Sequence, residues 1–503
     1  MKTYSKREFL KIMGLGLAFL PFISLYTACS GSNQSEQKGE ASDKEPGTAP
    51  QAAKSSQEEK DLDITKASPD DVILLKRTDE QFTGLNKGFN GRIKKLPLYI
   101  ALCKTTLGVQ YAVAHAQKEK LPVAVKSGGH SFEGFSSNDG GLVINLSQMK
   151  GVSWGDQLQV SLQPGCLLQE VQAALFSKQR LIPTGSCGTV GIAGLTLGGG
   201  YGFFSRKYGL TCDNLVDVEF VDGKGQVHSA ADNKDLFWAL RGGGNGNFGV
   251  ATKFVFKTED MPATFHAQVL KFRKLDATRF TEAIQTWFSV SQTLNPEDFC
   301  AFVLNGSTLT ILATTFGNKS KLEQNVAPLV SIADSATNSS TDLPQAMKRY
   351  YGRKGPILFK NASAGLYKSY EDIAAIAPQI FEKVVAAKGM IYQINTLGGA
   401  INDKAFESAS CYPHRALPYL SELQAYWDNP AQEAGLLKAF EDIQGLIRKQ
   451  GVTAQYRNYP DINFPDWQQA YYGNNYEKLQ KVKQALDPDN LFQYPQSIAA
   501  KNA

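Results

Sequence analysis

Glycine-rich segments in the first half of the chain constrain its fold more than any other feature. Residues 127–131 are Ser-Gly-Gly-His-Ser, and residues 184–191 are Thr-Gly-Ser-Cys-Gly-Thr-Val-Gly. Because glycine lacks a Cβ atom and tolerates positive φ, each segment lets backbone amides approach a flat or anionic ligand. Each segment also presents one nucleophilic side chain, His130 or Cys187. The two segments together predict a bound cofactor that is tethered to the protein.

The chain is long enough for two domains. Its 503 residues exceed a typical single core, and 42% of them are hydrophobic, as in ordinary globular proteins. The net charge of +5 comes from basic and acidic residues that are interspersed, which argues against nucleic acid as a partner. The seven cysteines include no close CxxC pair, so a metal site is not expected and disulfides cannot be assigned.

The N-terminal segment resembles an export signal, because basic residues precede an apolar run too short to span a bilayer. Residues 5–11 resemble a twin-arginine signal with Lys6 in place of the first arginine. Residues 27–30 resemble a lipoprotein cleavage box, and a plain secretory signal with an incidental Cys29 is the alternative. We expect a signal peptide over 1–29 and an exported bacterial protein, periplasmic or at the cell surface, whose only membrane contact is a lipid anchor at Cys29.

Composition and hydrophobic periodicity divide the rest of the chain. Residues 30–66 contain almost no large apolar side chain and predict a disordered tether. Residues 67–261 mix short strands and helices with the glycine-rich segments, whereas 262–451 predict a sheet covered by longer helices. These longer helices are expected at 280–292, 372–387 and 433–449. Residues 452–503 change character again and end in a helix.

Residues 241–249 contain a formal Gly-x-Gly-x-x-Gly motif, which in Rossmann folds binds dinucleotides. That motif requires a strand before it and a helix after it. Here a predicted helix precedes the motif and a predicted strand at 250–256 follows it. The reversed order favours a glycine loop around another kind of cofactor site.

Several motifs in order resemble the berberine bridge enzyme-like flavoproteins, which share the vanillyl-alcohol oxidase, or PCMH, type of FAD-binding fold. The segments that carry the resemblance are 127–131, 191–202, 206–214, 237–241, 458–459 and 487–492. The resemblance implies an α+β protein with a two-part PCMH-type FAD-binding domain over 67–261 that the tail 452–503 completes. It also implies a substrate domain over 262–451, with an antiparallel sheet covered by helices.

The resemblance implies FAD linked through two covalent bonds. His130 occupies the position that bonds the 8α-methyl carbon of the flavin, and Cys187 the position that bonds C6. A thiolate and a neutral imidazole are side chains able to add to an electrophilic flavin. Taken singly, the two are more readily explained as a structural histidine and a buried thiol. The other cofactor contacts implied are Ser127, Gly128, Gly129, Ser131, Gly188, Thr189, Val190, Gly191, Gly194, Gly198, Gly199, Val250, Asn458 and Tyr459.

The resemblance also implies catalytic residues. Oxidation of an alcohol needs a base for the hydroxyl proton while hydride leaves the adjacent carbon. Tyr456 matches the tyrosine base of carbohydrate oxidases, and Tyr201 matches the neighbour that hydrogen-bonds to this base and activates it. Alternatively, both are core or rim tyrosines. Glu422 aligns, across a gap, with the glutamate base of berberine bridge enzyme, and a solvated charge is the alternative.

Two further positions bear on the reaction. Leu195 stands where plant members place a histidine near the flavin pyrimidine, and bacterial members often have leucine there. Val190 matches the small residue of oxygen-reactive members, whereas leucine there is typical of dehydrogenases. These positions favour a bacterial oxidase.

The sequence therefore predicts a monomeric FAD oxidase. It would transfer hydride from a CH–OH group of a carbohydrate or other alcohol, either a small molecule or an oligosaccharide, to the flavin and reduce O₂ to H₂O₂. One alternative is oxidation or oxidative cyclisation of an amine or secondary metabolite. The other is a surface lipoprotein that binds a ligand without turnover.

Overall fold

The computed structural model describes residues 62–353 and 355–500. The predicted signal peptide, its Cys29 and the tether as far as residue 61 lie outside the described residues. The end of the predicted tether is folded, because Ile64–Lys66 form a 3-10 turn and Ile64 is buried in an apolar cluster. Within them no helix is both long and apolar enough to cross a membrane. The α-helices are Glu80–Asn86, Thr106–Lys118, Leu168–Phe176, Ile192–Leu197, Ser205–Tyr208, Lys234–Ala239, Ala277–Ser291, Lys319–Ile332, Leu343–Lys348, Ala377–Ala386, Glu433–Lys449, Trp467–Tyr472 and Tyr476–Leu486.

Two sheets make up most of the first half of the described chain. The first sheet is parallel except at one edge, and its strands in spatial order are Val72–Lys76, Tyr99–Cys103, Leu142–Asn145 and Val123–Lys126. The second is antiparallel, in the order Val152–Trp154, Gln159–Leu162, Gly249–Lys257, Leu215–Asp222 and Val227–Ser229. A short pair joins Arg180–Leu181 to Glu259–Asp260.

The helix Thr106–Lys118 holds these two sheets together. Thr105 caps its first turn, because its hydroxyl accepts a hydrogen bond from Gly108 N at 3.1 Å. Its fully buried side chains share one cluster with Ile144 of the first sheet and Val221 of the second. The strand Val123–Lys126 leads directly into segment 127–131, so His130 lies just beyond the carboxyl edge of the parallel strands, where ligands bind in open α/β sheets.

A large antiparallel sheet forms the second half. Its strands in spatial order are Ser335–Asp342, Thr264–Phe272, Thr308–Thr315, Asp298–Asn305, Met390–Thr396, Tyr419–Trp427 and Leu358–Tyr367. Four helices pack on one face in a single apolar cluster, namely Ala277–Ser291, Lys319–Ile332, Ala377–Ala386 and Glu433–Lys449. Side chains alternate between faces along a strand, so Tyr392 and Ile394 join that cluster while Gln393 lies on the opposite face. The predicted α+β class, with a helix-covered antiparallel sheet, is confirmed.

The C-terminal tail packs back against the first half of the chain. Tyr472, Leu479 and Val482 share an apolar cluster with Leu197 and Phe248. The tail is also fixed by charge. Lys483, which is fully buried, pairs with Asp487 at 2.6 Å and donates to Asn247 O at 2.7 Å.

Two of the predicted longer helices have other bounds. The helix expected at 280–292 is Ala277–Ser291, and the second differs for an identifiable reason. Helix 372–387 was expected, but the helix begins at Ala377, after a separate 3-10 turn at Tyr370–Asp372. Pro378 lies in the first turn of the helix, where its fixed φ is suitable and its missing N–H removes no hydrogen bond. The helix Glu433–Lys449 has the predicted bounds.

Candidate active site

A deep cleft separates the glycine-rich segments from the face of the large sheet that the helices leave uncovered. Its empty volume is about 1840 Å³, including its open mouth. Segments 127–136 and 185–195 form one wall, strands of the large sheet form the opposite wall, and residues 456–460 of the tail close one end. The cleft therefore brings the glycine-rich segments, the large sheet and the tail together around one space.

Most of the residues predicted for the site line this cleft. They are Ser127, Gly128, Gly129, His130, Ser131, Cys187, Val190, Gly191, Gly194, Tyr201, Glu422, Tyr456, Asn458 and Tyr459. Five others lie behind the lining, namely Gly188, Thr189, Gly198, Gly199 and Val250. Of these, Val250 is fully buried in the apolar cluster between the two smaller sheets. Gly198 leaves room for a neighbour, since a Cβ there would lie 1.9 Å from Asn458 Oδ1.

The two predicted attachment residues share one neighbour. Thr189 Oγ1 lies 3.0 Å from His130 Nε2 and 3.7 Å from Cys187 Sγ. Burial lowers the pKa of His130 to about 4, so the imidazole is neutral at physiological pH. Phe89 stacks on this ring, with centroids 4.1 Å apart. Among the described cysteines, Cys187 is the one that is not buried.

Backbone contact brings the two glycine-rich segments together. A Cβ on Gly128 would lie 2.4 Å from Gly191 N, and a Cβ on Gly191 would lie 2.2 Å from Ser127 Oγ. Real Cβ atoms do not approach so closely, so any larger residue would force the segments apart. The glycines are thus required here for loop-to-loop contact as well as for ligand access.

Tyr456 lies at the closed end of the cleft, where its hydroxyl accepts two hydrogen bonds. The donors are Gly200 N at 2.9 Å and Asn458 Nδ2 at 3.1 Å. Gly199 and Gly200 have φ of 116° and 79°, and this turn aims the Gly200 amide at the phenol. The two donors favour a phenolate, but burial is the larger effect and raises the pKa of Tyr456. The resting group is therefore a neutral phenol.

The hydrogen bond predicted between Tyr201 and Tyr456 is absent from the described site. The Tyr201 hydroxyl instead accepts from Asn395 Nδ2 at 3.0 Å and from Tyr459 OH at 3.1 Å. Tyr201 meets Tyr456 only through ring edges, with centroids 5.7 Å apart. The Tyr456 hydroxyl accepts its hydrogen bond from the Gly200 amide instead. Tyr201 lines the cleft and forms a separate hydrogen-bonded pair with Tyr459.

Glu422 faces the cleft and is not a solvated charge. It lies on the strand Tyr419–Trp427, next to one edge strand of the sheet, is 6% exposed, and has Gln424 and Asn361 as hydrogen-bonding neighbours. Burial raises the pKa of this carboxyl to about 8. A carboxyl group in this environment is protonated at neutral pH and can donate a hydrogen bond.

Glu422 belongs to a polar strip on the cleft face of the large sheet, most of which sequence reasoning missed. The strip consists of Asn361, Gln393, Glu422, Gln424 and Tyr426. Gln424 Nε2 donates to Gln393 Oε1 at 3.1 Å, and Asn361 Nδ2 donates to Tyr426 OH at 2.6 Å. Asn361 Oδ1 is buried without a partner. The alternation of polar residues at 422, 424 and 426 was the available signal.

The cleft also contains aromatic side chains and one cation that the sequence did not single out. Phe132 stacks on Tyr459, with ring centroids 5.1 Å apart and planes inclined by 18°. Phe359 contributes an edge to Phe132. Arg457 lines the cleft between Tyr456 and Asn458. Its position in the sequence carried no signal beyond adjacency to these two residues.

Comparison with known proteins matches two family models. Residues 97–231 match a model described as an FAD binding domain, and residues 455–499 match one described as berberine and berberine like. The chain is 29% identical to the FAD-linked oxidoreductase YgaK of Bacillus subtilis, over 84% of this chain and 96% of that protein. It is 30% identical to a xylooligosaccharide oxidase of Thermothelomyces thermophilus, over 82% of this chain and 88% of that protein.

Solved structures agree with this match. BBE-like 1 of Physcomitrella patens superposes with a TM-score of 0.78 at 26% identity, covering 86% of this chain and 98% of that chain. The shared region therefore spans both halves of the described fold and the cleft between them.

Proposed function

The chain belongs to the berberine bridge enzyme-like family of FAD-linked oxidoreductases, and on that premise we propose that it is an oxidase of carbohydrates. It takes hydride from a CH–OH group and passes the electrons to O₂, forming H₂O₂. The observation that carries this proposal is the polar strip facing the nucleophile-bearing wall across one cleft. A sugar has many hydroxyls, and a row of amide and carboxyl groups offers both donors and acceptors to them.

The wall opposite the strip fits FAD. Gly128 and Gly191 form a backbone surface that a Cβ would disrupt, and His130 and Cys187 lie on either side of Thr189. A neutral imidazole and a partly accessible thiol suit addition to the two positions on one edge of the flavin ring. We assign bicovalent attachment to these residues, and when bound, FAD supplies a ring that accepts a hydride.

The chain's own residues then handle the proton and the alcohol. For Tyr456 to act as the base, its own phenol proton first passes to solvent. The phenolate, which Gly200 N and Asn458 Nδ2 stabilise, then accepts the hydroxyl proton from the substrate. The hydrogen-bonded pair Tyr201–Tyr459 limits the space beside Tyr456. Glu422, protonated at neutral pH, donates to a second substrate oxygen. The unpartnered Asn361 Oδ1 accepts from another hydroxyl, and Phe132 and Tyr459 present flat faces on which a sugar ring can stack.

A substrate panel tests this function. Purified protein is incubated in air with mono- and oligosaccharides, simple alcohols, amines and phenols, while H₂O₂ and bleaching of the flavin absorbance are followed. Peroxide with sugars supports the proposal, and one relative is itself named a xylooligosaccharide oxidase. Bleaching by sugars that reverses only with an added dye would make the protein a dehydrogenase. Bleaching by amines or phenols alone would exclude a carbohydrate oxidase, and a colourless protein would exclude flavin chemistry.

The double attachment yields a separate prediction. After acid precipitation, we expect the yellow colour to stay with wild-type protein and with each single variant, His130→Ala or Cys187→Ala, because the other bond remains. The double variant should release its flavin into the supernatant. Cys166→Ala is the matched control, since Cys166 is buried and lies off the cleft lining. Colour leaving the wild-type pellet would contradict covalent attachment.

A further inference from the structure

Arg457 carries a positive charge that the protein does not neutralise. The residue is 4% exposed, yet no carboxylate of the described chain lies within 4.0 Å of its guanidinium. By contrast, Arg415, also buried, pairs with Asp213 at 2.6 Å. A buried charge without a counter-charge is costly. Its retention in a cleft wall points to a ligand that supplies the missing negative charge.

The groups that hold Arg457 are neutral. Its Nε donates to Tyr472 OH at 2.8 Å and its Nη2 to Tyr494 OH at 2.6 Å. Each phenol donates its own proton elsewhere, Tyr472 to Gly243 O at 3.1 Å and Tyr494 to Asn247 Oδ1 at 2.7 Å. Burial raises the pKa of both tyrosines, so neither becomes a phenolate that would cancel the charge.

The side chain is fixed in place but keeps one nitrogen free. Aromatic rings surround the guanidinium, with the centroids of Phe135 and Tyr471 at 5.9 and 5.8 Å. Tyr472 and Tyr494 hold the guanidinium against the glycine-rich segment around Gly244. A Cβ on Gly244 would lie 3.1 Å from Arg457 Nε. Nη1 has no acceptor among the described residues, and the side chain lines the cleft. A rigid cation with a free donor is therefore presented to the ligand.

The position of Arg457 indicates which part of the cofactor it meets. Tyr456 and Asn458, its neighbours, direct their polar atoms at Gly200 and at Leu195 O, on the side of the proposed hydride chemistry. Arg457 turns away from that side, toward Phe135 and the segment 244–247, which forms another part of the cleft lining. His130 and Cys187 are assigned to the flavin ring, so Arg457 is placed at the rest of the cofactor, away from the ring.

We propose that Arg457 binds the diphosphate of FAD and makes the cleft selective for the dinucleotide over uncharged flavins. The oxidised ring has no fixed charge, whereas the diphosphate is anionic, and a guanidinium is well suited to phosphate oxygens. The proposal rests on FAD as the cofactor and holds whichever substrate is oxidised, so failure of the sugar assay would leave it standing.

The test compares FAD with riboflavin, which lacks the diphosphate. In a His130→Ala/Cys187→Ala background, where flavin is not covalently held, dissociation constants for both ligands are measured by flavin fluorescence at low and high salt. We expect Arg457→Gln to weaken FAD binding by roughly 10- to 100-fold, the range for a hydrogen bond to a charged group. Riboflavin binding should not change, and Arg457→Lys should recover much of the FAD affinity.

Arg241→Gln is the matched control, because Arg241 is a partly buried arginine that bonds carbonyl oxygens away from the cleft lining. It should leave the FAD-to-riboflavin ratio unchanged. Equal weakening of both ligands by Arg457→Gln, or weakening of neither, would overturn the proposal. If this variant does not fold, Arg457→Lys in the same His130→Ala/Cys187→Ala background decides. An FAD dissociation constant that high salt leaves unchanged, both in that variant and in the parent with Arg457, would count against a phosphate contact.

Discussion

Tyr456→Phe is expected to slow flavin reduction by substrate about 10²- to 10⁴-fold, the usual contribution of a positioned general base. Phenylalanine keeps the ring that packs among Tyr201, Tyr412 and Tyr459, so fold and flavin content should be retained. It removes the oxygen that Gly200 N and Asn458 Nδ2 stabilise. Anaerobic stopped-flow absorbance of the flavin measures the rate directly, apart from the later reaction with O₂.

Tyr412→Phe is the control for this experiment. Tyr412 is buried beside Tyr456, with ring centroids 6.2 Å apart, but it does not line the cleft. Its loss should leave the reduction rate within a few-fold of wild type. Reduction of Tyr456→Phe at the wild-type rate would show that another group takes the proton and would leave Tyr456 a structural residue.

Glu422→Gln is expected to remove a pH dependence of stability. Burial raises the pKa of Glu422 from 4.5 to about 8, so the folded protein retains a proton that the unfolded chain releases. The stabilisation is fully present below about pH 4.5 and is lost as the pH rises through about 8. At about 1.4 kcal/mol per unit, the unfolding free energy of wild type should fall by about 4–5 kcal/mol relative to Glu422→Gln across this range.

Chemical denaturation at pH 5 and pH 9 measures this difference. Glu441→Gln, at an exposed position of the helix Glu433–Lys449, controls for loss of one carboxyl group. Glu422→Gln also distinguishes two possible roles of this residue in catalysis, a protonated hydrogen-bond donor and a base. If Glu422 acts as a protonated donor, the glutamine amide replaces it, and Glu422→Gln should keep most activity at pH 7 while losing an alkaline inflection near pH 8. Loss of activity at every pH would instead indicate a base.

Local pattern was sufficient for much of the fold. The helix Glu433–Lys449 has the predicted bounds because it has one apolar stripe. The strands Asp298–Asn305 and Tyr419–Trp427 were missed. In Tyr419–Trp427 every residue is buried, since one face meets helices and the other meets the cleft. In Asp298–Asn305 an apolar run from 299 to 304 does not distinguish a strand from a buried helix, whereas in Tyr419–Trp427 the alternation at 422, 424 and 426 was present but was overlooked.

The features of the site also fall into those that local sequence predicts and those that depend on folding. The glycine-rich segments, the nucleophile on each and the family could be predicted from the amino-acid sequence, because glycine positions and short motifs are local requirements of backbone geometry. Four features became visible only in the folded chain: Tyr201 pairs with Tyr459, Glu422 is protonated, a polar strip faces the glycine-rich wall, and Arg457 lacks a counter-charge. Hydrogen-bond partners, burial and charge balance depend on residues far apart in the chain, which become neighbours only on folding.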